Sequence, residues 1–167
     1  MNSLNWIRQS DKFYLNDGSE TRVELTLNPA GNSTILLNNR LYTAGRKGVW
    51  NPGYFVTENG QEVVTLKYGF WGSKGFISFS GGAVYTCGYN SKGGLKMRFF
   101  EGEKELLRYA IGFENKRPVL NFSLTHPTEI TTTILLLATF GMIAFYPLFT
   151  ATAYGDDTAD IVLLSAV

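Results

Sequence analysis

The side chains able to act as nucleophiles or bases in this sequence are few. The 167-residue chain contains one cysteine, Cys87, and one histidine, His126. A catalytic thiol needs a neighbouring base, and His126, which precedes Pro127, has no obvious partner. We therefore expect Cys87 to be a small buried side chain and His126 to be a junction residue. With one thiol and one imidazole, the chain can form neither an internal disulfide nor a Cys/His zinc site.

Carboxylates could bind a cation at two places. Glu101, Glu103 and Glu105 alternate, so they could project from one face of a strand for cation binding or paired-carboxylate chemistry. The alternative, a solvated hairpin tip, is favoured by Gly102. A second acidic group near the end of the sequence consists of Asp156, Asp157 and Asp160. It lacks the glycine and the number of ligands of a calcium loop, so we expect it to contribute solubility. We expect no catalytic residue, no metal and no cofactor.

Basic side chains offer another kind of chemistry, the binding of anionic lipid headgroups. Five of them lie in or near glycine-containing loops: Arg46, Lys47, Lys74, Lys92 and Lys96. Each cation close to an anionic membrane contributes about 1 kcal/mol to binding, so a rim of such residues would hold the protein at a membrane surface. The alternative is a set of scattered surface charges. The net charge of +1 argues against nucleic acid as the main partner.

Charge divides the sequence into two parts. Every Lys and Arg lies at or before Arg117, so residues 1–117 carry a net charge of +5 and residues 118–167 carry −4. No charged residue occurs between Ile130 and Gly155. The two parts are therefore predicted to form different kinds of structure.

The first part, to about residue 125, predicts a succession of β-strands. Apolar side chains recur at every second position, as at Val23, Leu25 and Leu27, which places them on one face of a strand. Two stretches, Leu106 to Ile111 and Val119 to Leu124, are apolar on both faces, as expected where a sheet is covered on both sides. At usual strand and turn lengths, this part holds about ten to twelve strands.

Turn signals separate these strands at short intervals, since Asn-Gly and Asp-Gly pairs supply the positive φ angles that tight hairpins need. In three hairpins an aromatic strand is followed by an acidic or amide residue, a glycine, a glutamate and an aliphatic strand. These hairpins are Phe13 to Leu25, Phe55 to Leu66 and Phe99 to Leu107. We interpret them as the same hairpin chemistry used repeatedly rather than as a true sequence repeat.

The apolar segment from about residue 128 to 149 predicts a helix, because it is apolar all round and lacks the alternation of strands. Thr128 is placed to cap its N-terminus, Glu129 to interact favourably with the positive helix end, and Pro147 to end or kink it. A helix without a polar face needs apolar surroundings on every side. Either lipid or protein must provide them.

Both kinds of surroundings are compatible with this segment. About 20 apolar residues at ~1.5 Å each span the ~30 Å hydrocarbon layer of a membrane. Basic residues before the helix and acidic residues after it would then keep the strands in the cytoplasm. Alternatively, the helix threads a closed barrel, whose interior is apolar and whose closure removes exposed sheet edges.

Three segments precede the helix in order: Tyr54-Phe-Val-Thr-Glu-Asn-Gly-Gln-Glu-Val-Val-Thr-Leu-Lys, Tyr68-Gly-Phe-Trp-Gly, and Leu95-Lys-Met-Arg-Phe-Phe-Glu-Gly-Glu-Lys-Glu-Leu-Leu. With the helix behind them, they resemble the tubby C-terminal-like superfamily, which includes the LURP-one-related proteins and the phospholipid scramblases. The resemblance spans about residues 10–150. It implies a twelve-stranded barrel enclosing the helix and, because tubby domains bind phosphoinositides, a lipid partner. The chain after Phe149 departs from the family, where the chain usually stops soon after the helix.

Together, these observations predict an all-β protein with one helix. The predicted architecture is a closed antiparallel β-barrel of about ten to twelve strands that encloses a hydrophobic C-terminal helix. The barrel is expected to cover residues 1–150, with the helix at about 128–149, and residues 151–167 to form a C-terminal tail.

The expected function is a non-enzymatic lipid-binding or adaptor module at or near a membrane surface. The alternative is a single-pass membrane-anchored subunit of a membrane complex with a cytoplasmic β domain. The N-terminus lacks the features of a secretory signal, so we expect a cytoplasmic protein, either associated with a membrane or anchored through its C-terminal helix. Anionic lipid and a protein are the expected partners.

Overall fold

The computed structural model describes residues 4–48, 53–69, 74–90, 92, 94–125, 129–153 and 162–165. The first six strands are β1 (Leu4–Gln9), β2 (Lys12–Asp17), β3 (Glu20–Thr26), β4 (Ser33–Leu37), β5 (Arg40–Lys47) and β6 (Gly53–Glu58). The next six are β7 (Gln61–Tyr68), β8 (Lys74–Phe79), β9 (Val84–Asn90), β10 (Lys96–Glu101), β11 (Lys104–Glu114) and β12 (Arg117–Leu124). A helix, α1 (Thr132–Ala153), and a strand, β13 (Val162–Ser165), follow them.

One sheet contains all of these strands. Strands β1 to β12 pair in chain order, each antiparallel to the next, while β13 pairs with β12 in parallel. Both β12 and β13 lie next to β1, so the meander curls into a nearly closed barrel. The predicted all-β barrel with one helix is therefore confirmed. The sequence did not predict β13, which lies in the segment expected to be a tail.

The three similar hairpins share one geometry and lie four strands apart, as β2–β3, β6–β7 and β10–β11. In each, a two-residue turn is followed by a β-bulge in the second strand. The extra residues are Arg22, Val63 and Leu106, opposite Leu15/Asn16, Val56/Thr57 and Phe99/Phe100. A bulge increases the local twist and bends the strand that carries it. The repeated chemistry thus bends the sheet at the same level in three evenly spaced places, which helps to close it.

Alternate side chains of the strands form the core, as the period of two predicts. Val23, Leu25, Ile35, Leu66 and Ile77 are completely buried. The strands predicted to be covered on both faces are also buried on both faces. Their buried neighbours in sequence are Leu106 with Leu107 and Val119 with Leu120.

The helix begins at Thr132, four residues after the predicted start. The hydroxyl of Thr131 accepts a hydrogen bond from the backbone N–H of Ile134 at 3.3 Å, so Thr131 is the N-cap. Thr128, the predicted cap, lies outside the described residues. The sequence offers several threonines here, and only the position of the first helical turn selects among them.

The helix does not end at Pro147 but continues to Ala153. A proline inside a helix removes one backbone hydrogen bond. The following turn is held by Phe149, which is completely buried and packs beside Tyr146. Burial of this ring explains why the helix passes through a residue that the sequence marks as a stop.

The helix lies inside the barrel, since every residue from Ile134 to Phe145 is buried. Aromatic rings from distant strands pack on it, with Phe13 on Tyr146, Tyr54 on Phe140 and Tyr109 on Phe145. By length and composition α1 could cross a membrane, yet 72% of its most apolar stretch is buried within the protein. In this structure the strands provide the apolar surroundings that the helix requires.

Tyr109 on β11 joins the helix to the seam of the barrel. Its hydroxyl accepts a hydrogen bond from the indole Nε1–H of Trp6 on β1 at 2.8 Å and donates one to the carbonyl of Ala138 in α1 at 2.6 Å. Burial raises the pKa of Tyr109 well above its ordinary value, so the hydroxyl stays protonated and can donate. One buried group therefore connects the first strand, the eleventh strand and the helix.

We predict that Gly141→Ala destabilises the protein. An added Cβ at Gly141 would lie 2.2 Å from Cε2 of Tyr109 and 3.1 Å from a ring carbon of Phe99, both completely buried. Overpacking of this kind costs about 1–3 kcal/mol. In an open helical position the same change would stabilise by about 1 kcal/mol, so the sign is diagnostic. Urea unfolding measures the difference in free energy.

The matched control for this measurement is Gly81→Ala in the β8–β9 connection. No atom lies within 4 Å of a Cβ built at Gly81. We expect this variant to be neutral or slightly stabilised. A Gly141→Ala protein as stable as the control would contradict the close contact between α1 and Tyr109.

We also predict that Tyr109→Phe costs about 1–3 kcal/mol, because it leaves the buried indole N–H of Trp6 without its acceptor. The same substitution should cost less in a Trp6→Phe background, where that N–H is already removed. Urea unfolding of the two single variants and the double variant gives the coupling energy. Additive costs would show that the two side chains do not stabilise each other.

Candidate anion-binding surface

The alternating direction of the strands gives the barrel two chemically different ends. Connections that follow odd-numbered strands lie at one end, and those that follow even-numbered strands lie at the other. We call them the basic end and the acidic end, and define each as its connections together with the two strand residues on either side. The helix begins at the acidic end, where Thr132 accepts a hydrogen bond from Asn38, and runs toward the basic end, where Tyr146 packs on Phe13.

Charges separate strongly between these ends. Among the described residues, the basic end holds the cations Arg8, Lys12, Arg46, Lys47, Lys67, Lys74, Lys92, Lys96, Lys116 and Arg117 and the anions Asp11 and Glu114, a net charge of +8. The acidic end holds the anions Asp17, Glu20, Glu58, Glu62, Glu101, Glu103, Glu105 and Glu129 and the cations Arg40 and Lys104, a net charge of −6. The nearly neutral chain is therefore polarised along the barrel axis.

The structure brings all five sequence-predicted headgroup residues to the basic end. Arg46 and Lys47 end β5, Lys74 begins β8, Lys92 lies in the β9–β10 connection and Lys96 begins β10. They do not share one face. Arg46 continues the inward-facing row of β5, whereas Lys74 and Lys96 alternate with buried neighbours and lie on the outer wall. The five residues thus form part of a rim around the end and not a single pocket.

The local geometry of these cations differs. The guanidinium of Arg46 lies 5.6 Å from the ring centroid of Tyr54, and Nζ of Lys74 lies 5.6 Å from that of Phe76. Such cation–π contacts orient an exposed cation without neutralising it. Lys47 instead forms an ion pair with Glu62 at 2.5 Å, and the hydrogen bond from Lys47 lowers the pKa of Glu62. This ion pair joins a cation of the basic end to a carboxylate counted at the acidic end, so Lys47 is less available to an external anion than Arg46 or Lys74.

Half of the cations at the basic end were not predicted from the sequence. Arg8 lies over the ring of Phe13 at 5.7 Å, the same arrangement that Arg46 makes with Tyr54. The other members that were not predicted are Lys12, Lys67, Lys116 and Arg117. Counting hairpins would have found them, because every residue at the end of an odd strand or the start of an even strand lies at this end.

Tyrosines follow the inner wall of the barrel at the basic end. Tyr68 on β7 and Tyr89 on β9 form a hydroxyl–hydroxyl hydrogen bond of 2.9 Å across the intervening β8. They meet because Gly75 of β8 has no side chain, and a Cβ there would lie 2.7 Å from Leu66. Burial raises the pKa of Tyr89 to about 12 and that of Tyr68 further. Both hydroxyls are therefore protonated at neutral pH.

Of the residues considered for catalysis, those that the structure describes have structural roles. Cys87 is buried, and burial raises the pKa of its thiol to about 12, so it is a protonated core side chain and not an activated nucleophile. His126 lies outside the described residues, and so do the three aspartates Asp156, Asp157 and Asp160. Within the described ranges, no group of three or more His, Cys, Asp or Glu side chains could hold a metal ion.

The three alternating glutamates do not act together. Glu105 accepts hydrogen bonds from Arg108 at 2.7 Å and from Thr125 at 3.1 Å, and Arg98 lies 3.6 Å away. Glu101 and Glu103 are exposed at the tip of the β10–β11 hairpin. The charge of Glu105 is therefore already neutralised by Arg98 and Arg108.

Comparison with protein-family models, with curated proteins and with solved structures finds no match to this chain. The resemblance to the tubby C-terminal-like superfamily stays a prediction from the sequence.

We predict that the ionisation of Glu105 makes the free energy of unfolding depend on pH in the acidic range. Burial opposes its ionisation, but the hydrogen bonds from Arg108 and Thr125 and the arginine charges outweigh burial and lower its pKa below the ordinary 4.5. The stabilisation that ionised Glu105 provides is present above the unfolded-state pKa and is lost as pH falls through the lower folded-state pKa. Glu105→Gln should destabilise by about 1–2 kcal/mol at neutral pH and flatten the loss of stability below about pH 4.5.

Urea unfolding over a pH series measures this effect. The control is Glu103→Gln at the exposed tip of the same hairpin, for which we expect a change within about 0.5 kcal/mol. Parallel pH profiles for the wild type and Glu105→Gln would contradict the role assigned to the Arg98–Glu105–Arg108 cluster.

Proposed function

We propose that the protein is a non-enzymatic module that binds anionic membrane surfaces through its basic end. The observation that carries this proposal is the net charge of +8 among the described residues of one end of a barrel, against −6 among those of the other end. A basic surface attracts anionic lipid at roughly 1 kcal/mol for each cation close to the headgroups. The opposite charge on the far end disfavours every orientation except the one with the basic end facing the membrane.

The composition of the basic end also supports lipid headgroups as the partner. Arg8 and Arg46 are held over aromatic rings rather than in ion pairs with described carboxylates. The hydroxyls of Tyr68 and Tyr89 lie nearby on the inner wall as protonated groups. Guanidinium and hydroxyl groups together suit the phosphate and carboxylate oxygens of lipid headgroups.

The enclosed helix supports a surface-binding module over a single-pass anchored subunit. For α1 to enter a bilayer it would have to leave the barrel, which would separate Ala138 from Tyr109 and uncover the apolar inner wall. The barrel would then lose the packing of twelve consecutive buried helix residues, Ile134 to Phe145. Association through the basic end requires no such rearrangement.

Binding to vesicles of phosphatidylcholine, with and without phosphatidylserine, tests the proposal. We expect the wild type to sediment with the anionic vesicles only, and added salt to weaken binding. The double variant Arg46→Glu, Lys74→Glu should bind more weakly by at least roughly thirtyfold, since two headgroup contacts are worth about 2 kcal/mol.

A matched control separates the position of the charges from their number. The double variant Arg40→Glu, Lys104→Glu changes the net charge by the same amount but alters the acidic end. We expect it to bind anionic vesicles like the wild type. Equal loss in both double variants would mean that net charge alone governs binding, and failure of the wild type to bind would overturn the proposal.

A further inference from the structure

Two exposed phenylalanines lie at or next to the basic end. Phe76 on β8 is 45% exposed and Phe113 on β11 is 66% exposed. Among the described residues, these are the only phenylalanines in the group of exposed large apolar side chains. Exposed aromatic rings close to a strongly charged surface are a combination that suits the interface of a membrane.

Phe76 is flanked by cations on the outer wall. Lys67 of β7 lies opposite it in the strand register, and Nζ of Lys74 lies over its ring at 5.6 Å. Both lysines belong to the basic end and both are exposed. The ring therefore presents an apolar surface between two positive charges.

Phe113 has a similar setting on another part of the rim. The pairing of β10 with β11 stops at Lys96 and Ala110, so the last four residues of β11 extend beyond the end of β10. Phe113 pairs with Pro118 across the β11–β12 hairpin, whose turn carries Lys116 and is followed by Arg117. The ring therefore lies on a hairpin that carries two cations of the basic end, Lys116 in the turn and Arg117 paired with Glu114.

We infer that Phe76 and Phe113 insert into the boundary between headgroups and acyl chains when the basic end meets an anionic bilayer. The inference rests on the proposed function and adds the mode of docking to it. Aromatic rings beside lysine and arginine match this boundary, because the rings enter the apolar layer while the cations stay among the phosphates and carboxylates. Charge complementarity with an anionic surface selects lipid as the occupant.

The two insertion points fix the orientation of the barrel. Phe113 lies at the end toward which α1 runs and Phe76 lies next to it, on strands at different positions around the ring. The barrel therefore stands end-on, with the acidic end directed away from the membrane. Binding then has two components, a salt-sensitive one from the cations and a salt-resistant one from the rings.

The test uses Phe76→Ser, Phe113→Ser as a double variant, with the same anionic vesicles at low and high salt. Loss of two partly inserted rings should weaken binding by at least about tenfold at low salt and abolish the binding that persists at high salt. The control is Leu41→Ser, Val84→Ser, which removes two apolar side chains that are 60% and 57% exposed at the acidic end. The control should bind like the wild type under both conditions.

A fluorescent label reports insertion directly. The buried Cys87 thiol, with its pKa raised to about 12, stays unreactive, so a cysteine introduced as Phe76→Cys or Leu41→Cys carries an environment-sensitive dye alone. We expect a blue shift with anionic vesicles for the label at position 76 and none for the label at position 41.

The outcomes separate this inference from the proposed function. A wild type that binds no anionic vesicle overturns the proposed function. A wild type that binds, together with a serine double variant that binds equally and a label at position 76 that does not shift, overturns only the insertion of the rings. Sedimentation equilibrium without lipid gives the remaining result, in which wild-type self-association abolished by the serine variant would assign the two rings to a contact between copies.

Discussion

The hydroxyl of Tyr109 forms hydrogen bonds with both β1 and α1, and the rest of the barrel depends on these two bonds. The helix is apolar on every side, so it is stable in water only while the strands surround it. The ring of strands in turn lacks a ladder of described hydrogen bonds between β1 and β12, its first and twelfth members. Tyr109 bridges that seam from within, because its hydroxyl accepts a hydrogen bond from the indole N–H of Trp6 and donates one to the carbonyl of Ala138. Gly141 permits the close approach that this geometry needs.

The separation of charge follows from the same architecture. An antiparallel meander sends alternate connections to opposite ends, so basic residues at the ends of odd strands and acidic residues at the ends of even strands become two oppositely charged surfaces. The helix begins among the carboxylates and ends among the cations. Its backbone dipole, positive at the N-terminus, therefore points with its negative end toward the basic end of the barrel. The last turn of the helix itself has no basic residue.

Local pattern was sufficient to predict the strands and a helix that needs apolar surroundings, because alternation at Val23 and Leu25 and its absence in the helix report directly on which faces are buried. The pattern left lipid and a barrel interior both open, and the barrel around the helix was predicted from the family resemblance. Details that depend on tertiary contacts could not be predicted from the sequence. Thr131 caps the helix because of where its first turn packs, and Pro147 is tolerated because Phe149 is buried beyond it. At the candidate surface, the loops taken one at a time predicted five cations. Only the strand topology shows that Arg8 and Arg46 lie at the same end of the barrel.

The order of the elements along the chain has a consequence for biosynthesis. The inner walls of β1 to β12 are complete before the ribosome has made α1, the helix that packs between them. At about 5–20 residues per second, the roughly thirty residues from the end of β12 to the end of α1 take a few seconds to make. During that interval Leu25, Ile35 and Leu66, which are completely buried in the finished barrel, have no helix to cover them.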